Sequence, residues 1–128
     1  FGAQVLAVAL GGQVTRQATI HKGLEKIDFV GSDQRGPWVR WHEDFISDAP
    51  GAIIDSAVSE AILIFHRENA WGVQPHIELT PETLERMAIT IGVSQEDYAP
   101  LVSQLGANAA TARAATLALL DHIRLNQA

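Results

Sequence analysis

Apolar and polar positions alternate with three different rhythms along the chain. The first stretch, Ala3-Gln4-Val5-Leu6-Ala7-Val8-Ala9-Leu10, is almost wholly apolar and predicts a buried helix, stopped by Gly11-Gly12. No Ser, Thr, Asp or Asn stands before it as a side-chain cap, so chain upstream of Phe1 is expected. The middle reads with a period of two. Residues 13–20 and 26–30 are expected as short strands with a turn around Gly23, and residues 31–37 as a polar loop. A strand begins at Trp38 and runs into the polar residues His42-Glu43-Asp44, and Asp48-Ala49-Pro50-Gly51 reads as a turn. Residues 52–58, 61–66 and 71–74 complete the strands, with Arg67-Glu68-Asn69 as a hairpin connection.

From Thr80 the period becomes helical. Thr80 is a good N-cap, Pro81 suits the first helical position, and Leu84, Met87, Ala88 and Ile91 recur on one face up to Gly92. Tyr98, Leu101, Val102 and Leu105 repeat that spacing before Gly106, and Pro100 implies a helix starting near Asp97 or kinked there. A third helix spans about residues 108–125, with Ala112, Leu119 and Ile123 on its buried side. The order of elements is that of an α/β domain, helix, strands and then helices packed on them. A sheet covered on both faces needs helices on both sides, so this is read as the later part of such a domain.

At 128 residues and 47% hydrophobic content the chain can build a core as one domain or part of one. Its net charge of -6 argues against a nucleic-acid partner. Its apolar runs fall well short of the ~20 residues that span a bilayer, so no membrane association is expected. There is no cysteine, hence no disulfide and no thiolate metal site within these residues. A cytoplasmic location fits that composition.

The chemistry concentrates at Trp71-Gly72-Val73-Gln74-Pro75-His76-Ile77-Glu78. If this segment is extended, His76 and Glu78 share a side. A carboxylate there takes the imidazole N–H and leaves the other ring nitrogen as a base. An exposed ion pair is the plain alternative. The segment resembles the Trp-Gly-Val-Gln-Phe-His-Pro-Glu signature of class I, or triad, glutamine amidotransferases, with Pro75 and Ile77 departing from it. Phe1-Gly2-Ala3-Gln4 resembles the residues directly after the nucleophilic cysteine in that family's Gly-x-Cys-x-Gly-x-Gln motif. Trp41-His42-Glu43-Asp44 is similar to a loop of its stand-alone, GMP synthase-like members. Pro50-Gly51-Ala52, Ser56 and Phe65 continue the pattern, whereas His21-Lys22-Gly23-Leu24 replaces the family's Glu-x-Gly-Trp.

The resemblance implies a flavodoxin-like amidotransferase fold, a central mixed sheet flanked by helices, with residues 1–128 as the C-terminal part of a single domain whose N-terminal portion is missing. It implies hydrolysis of the glutamine side-chain amide to glutamate and ammonia by a Cys-His-Glu triad, the cysteine lying just upstream of Phe1. His76 and Glu78 would be catalytic, the Phe1 N–H would belong to the oxyanion hole, and Gln4, Gly2 and His42 would serve the substrate. For His42 a plain surface-loop role is equally open. No metal or organic cofactor is implied. Two pairs of His and carboxylate, His42/Asp44 and His76/Glu78, have metal-binding chemistry but lie on separate segments. A synthetase partner, or the missing N-terminal segment, would complete the protein. Two other readings stay open: hydrolysis of a γ-glutamyl peptide or conjugate by the same triad, and a non-catalytic binding module. Of the remaining histidines, His21, His66 and His122 are expected at the surface or satisfied locally, and Arg113, Asp121 and Arg124 on a solvated helix face.

Overall fold

The computed structural model describes residues 1–29 and 35–127. Residues 30–34, with most of the expected polar loop and the end of the strand expected at 26–30, lie outside the described residues. The elements run α1 (Gly2–Ala9), β1 (Gln13–Glu25), β2 (Trp38–Asp48), β3 (Ile53–Val58), β4 (Ala61–Arg67), β5 (Ala70–Val73), α2 (Pro81–Thr90), α3 (Gln95–Ala107) and α4 (Ala109–Leu125). This is an α/β chain with its sheets flanked by helices. β1 and β2 form one antiparallel pair, and β3-β4-β5 a second antiparallel sheet.

Two strand expectations need correction. Gly23 is no turn: the ladder runs unbroken through it, from Lys22↔Trp41 to Glu25↔Trp38. The ladder's irregularities fall earlier, between Gln13 and Val14 and between Arg16 and His21. Residues 26–29 are not a strand either. Ile27 and Phe29 are buried beside Trp38 and Leu119 without joining a ladder, and that burial is what their alternation reflected. In turn β2 continues past the polar residues to Asp48.

α1 is less buried than its composition implies. Only Ala3 and Ala7 are enclosed, against Ile46, Ala49 and Phe65, while Phe1, Val5 and Val8 face outward. Small residues at i, i+4 let the helix backbone lie close to the strands. Its stop is as expected: Gly11 has φ +83°, and the amides of Gly11 and Gly12 reach back to the Val8 and Ala7 carbonyls.

α2 has the predicted cap. The Thr80 hydroxyl accepts from the Thr83 amide at 3.2 Å, Thr83 Oγ1 accepts from the Thr80 amide, and Pro81 follows. α3 starts at Gln95, earlier than expected, and carries Pro100 in its second turn; it runs through Gly106 and is closed by Asn108, whose side chain donates to Gln104 O. Leu84, Leu101, Leu105 and Ala112 pack on Val39, while Ala115 and Leu119 of α4 pack with Trp38, Phe45 and Leu63. Among the described residues no helix is long and apolar enough to cross a membrane.

Candidate active site

The segment after β5 joins the two sheets. The Gln74 amide donates to Leu63 O of β4 at 2.8 Å, and the His76 amide donates to Val39 O of β2, also at 2.8 Å. Pro75 lies between these two donors, so its missing N–H removes neither bond. The chain then bends instead of staying extended: the Ile77 amide turns back to Pro75 O, and the Thr116 hydroxyl of α4 holds Ile77 O at 2.8 Å. His76 and Glu78 therefore meet through a tight turn and not through strand alternation.

Their contact is direct, with His76 Nδ1 2.9 Å from Glu78 Oε1. A carboxylate accepts, so Nδ1 carries the proton in that bond and Nε2 is left for chemistry. Glu78 is held below the usual carboxylate range chiefly by this hydrogen bond, against partial burial, with smaller help from its own backbone and from the charge of His76. The Glu78 side chain is 65% exposed and that of His76 31%, so the pair adds little to stability.

Two of the other expected site residues, Gln4 and His42, meet at β2, whereas Phe1 and Gly2 do not. Gln4 Nε2 donates to the Asp44 carbonyl at 3.2 Å, and His42 Nδ1 donates to the same oxygen at 3.2 Å. His42 is buried, and its pKa is pushed down to about 4. Burial is the main cause, followed by the Arg40 charge, with the Asp44 carbonyl opposing and His21 and His76 adding to the depression. His42 is therefore neutral at ordinary pH, and its buried Nε2 is an acceptor with no partner among the described residues. The Phe1 side chain is 94% exposed, and a Cβ on Gly2 would meet no atom within 4 Å.

One charged residue here was not anticipated. Arg40, 2% exposed, bonds Glu25 at 2.8 Å and faces Glu60 at 3.9 Å, tying β1 and the β3–β4 turn to β2. Its only sequence signal was the alternation Arg40-x-His42-x-Asp44 within a strand. The remaining histidines are locally satisfied, as expected. His21 bonds Glu25, His66 Nδ1 lies 2.7 Å from Asp55 and stacks on Trp71, and His122 packs edge-on against Trp71 and Phe29. Asp121 and Arg124 pair on the exposed face of α4. Among the described residues no three His, Asp or Glu side chains gather as a metal would require.

No protein-family model matches the chain, and no curated protein matches it. Solved structures do. A glutamine amidotransferase from Thermotoga maritima superposes with a TM-score of 0.77 at 20% identity, over 94% of this chain and 58% of that one. A glutamine amidotransferase from Methylobacillus flagellatus superposes with a TM-score of 0.58 at 19% identity, over 90% and 59% of the two chains. The chain therefore has the fold seen in glutamine amidotransferases and spans under three fifths of the length of these two structures.

Proposed function

We propose that residues 1–128 are the C-terminal part of a single class I glutamine amidotransferase domain, of the stand-alone, GMP synthase-like kind. The complete protein hydrolyses the side-chain amide of glutamine to glutamate and ammonia. The observation that carries the reading is the 2.9 Å bond between His76 Nδ1 and Glu78, on a segment fixed to both sheets. Under this reading a cysteine directly before Phe1 supplies the nucleophile. Its thiolate attacks the amide carbon, and the oxyanion that forms is held by the Phe1 N–H. The His76 imidazolium gives its proton to the departing nitrogen, releasing ammonia and leaving a glutamyl thioester. His76 then takes a proton from water as the water attacks the thioester, and glutamate leaves with the thiolate restored. Glu78 orients the imidazole and stabilises its charged form.

The amino-acid end of glutamine is assigned to Gln4 and His42. The unpartnered His42 Nε2 accepts an N–H of the substrate ammonium, and Gln4 offers its amide oxygen, its nitrogen being engaged by Asp44. Gly2 leaves room for the cysteine's neighbours. The test is ammonia release from glutamine by the complete protein and by its His76→Asn variant. Equal rates in the two would end the reading.

A further inference from the structure

Glu78 also borders a cavity of about 760 Å³, walled by the turn at Ile77, the start of α2, the end of α3 and the first half of α4. That volume lies within the roughly 300–1,000 Å³ of small-molecule sites. The walls are largely apolar, with Ile77, Leu105 and Leu117 prominent. Three charged side chains line it as well: Glu78, Glu82 and Arg113. The hydroxyls at the wall are already engaged, Thr116 with Ile77 O, Ala112 O and Trp38 Nε1, and Thr80 with Thr83. Neither Glu82 nor Arg113 has an ion-pair partner among the described residues.

We propose that this cavity binds a free apolar α-amino acid, as an effector site separate from the glutamine site. A simple anion entering it meets two carboxylates, a simple cation meets Arg113, and an uncharged apolar molecule leaves Glu82 and Arg113 unmatched. A zwitterion with an apolar side chain answers each: carboxylate to Arg113, ammonium to Glu78 and Glu82, side chain against Ile77, Leu105 and Leu117. Because Glu78 also holds His76 Nδ1, an ammonium drawn to its carboxylate competes with the imidazole. Occupancy then slows amide hydrolysis; this consequence rests on the reading of His76 as the catalytic base, whereas binding itself does not.

The experiment is calorimetry on the complete protein, in the absence of glutamine, with L-phenylalanine as probe and phenethylamine and 3-phenylpropionate as controls. L-Phenylalanine is expected to bind saturably and each control at least about tenfold more weakly, the loss of one charged contact. Gly106→Leu fills the cavity from α3. A Cβ there meets Pro81 Cγ at 3.8 Å, an ordinary contact, so the melting temperature should hold while binding is lost. Arg113→Gln should bring L-phenylalanine down to the level of phenethylamine. At saturation the ring nitrogen resonances of His76 should move. Absence of saturable binding at millimolar probe, equal binding of all three compounds, or binding untouched by Gly106→Leu overturns the site. Unmoved His76 signals at saturation overturn its coupling to the pair. None of these readouts uses glutamine, so the site and the amidotransferase reading stand or fall separately.

Discussion

Gln4 and His42 are joined through a single oxygen, the Asp44 carbonyl, which each approaches to 3.2 Å. One bond comes from α1 and the other from β2 itself, so that carbonyl fixes the helix against the strand. It also sets the proton on His42. A carbonyl only accepts, so Nδ1 keeps its hydrogen and the ring presents a bare Nε2.

This arrangement predicts a pH dependence of stability. Folded His42 takes up its proton only near pH 4, against 6.5 for the free side chain. Between those values the unfolded chain holds a proton that the folded chain lacks, so stability falls as the pH drops from about 6.5 to 4. The loss has an upper bound of about 3 kcal/mol, reduced by whatever solvent reaches the ring. His42→Asn retains an N–H for Asp44 O and removes the titration. Urea midpoints of the complete protein should decline more steeply over this window than those of the variant. Parallel declines would show that other groups govern the acid limb.

The chain was legible where its logic is local. Thr80-Pro81 and Gly11-Gly12 punctuate helices through bonds within a few residues, and the structure keeps both. His76 and Glu78 were found from their neighbours in sequence, although the turn that unites them was not foreseen. It depends on Thr116, which reaches Ile77 O from 39 residues away. Burial without a ladder misled the reading at Ile27 and Phe29, and tertiary pairing overrode the turn propensity of Gly23. Arg40 was invisible for a related reason. A charge becomes a buried hub only when Glu25 and Glu60 are brought to it by strand pairing.

His76 and Glu78 should separate activity from stability. In the complete protein His76→Asn is expected to abolish ammonia release from glutamine, because no base remains for the leaving group. Glu78→Gln should leave a small residual rate, the imidazolium losing its counter-charge and the ring its preferred tautomer. Both side chains reach solvent, so neither variant should shift the thermal midpoint by more than a few degrees. Near-normal rates in both at saturating glutamine would make the pair structural.

Two glycines predict opposite outcomes. A Cβ on Gly72 would stand 2.4 Å from Cε1 of Phe65, a ring with no exposed surface, so Gly72→Ala should destabilise the protein by about 1–3 kcal/mol or more through overpacking. A Cβ on Gly2 meets nothing within 4 Å, and alanine favours a helix. Gly2→Ala should therefore leave the melting temperature unchanged or slightly raised. If Gly2 also leaves room beside the nucleophile, the same variant loses turnover without losing fold. A melting temperature lowered as much by Gly2→Ala as by Gly72→Ala would contradict the packing argument.

The last prediction concerns the residue before Phe1. In the complete protein it should be cysteine, with a glycine two positions ahead of it. α1 begins without a side-chain cap, so its first amides are open to a partner at that end. A thiolate placed there is stabilised by the helix dipole, with a pKa below the ~8.5 of free cysteine. α1 packs against β5, the strand that leads directly into the His76–Glu78 pair that a nucleophile would use. The upstream codons answer the first half of the prediction. Treatment of the complete protein with a thiol-reactive glutamine analogue, followed by peptide mass mapping, answers the second: a single modified cysteine adjoining Phe1 is expected, its labelling slowed by excess glutamine. A residue there without a nucleophilic side chain, or a cysteine that stays unlabelled, would leave a non-catalytic binding module as the role of this fold.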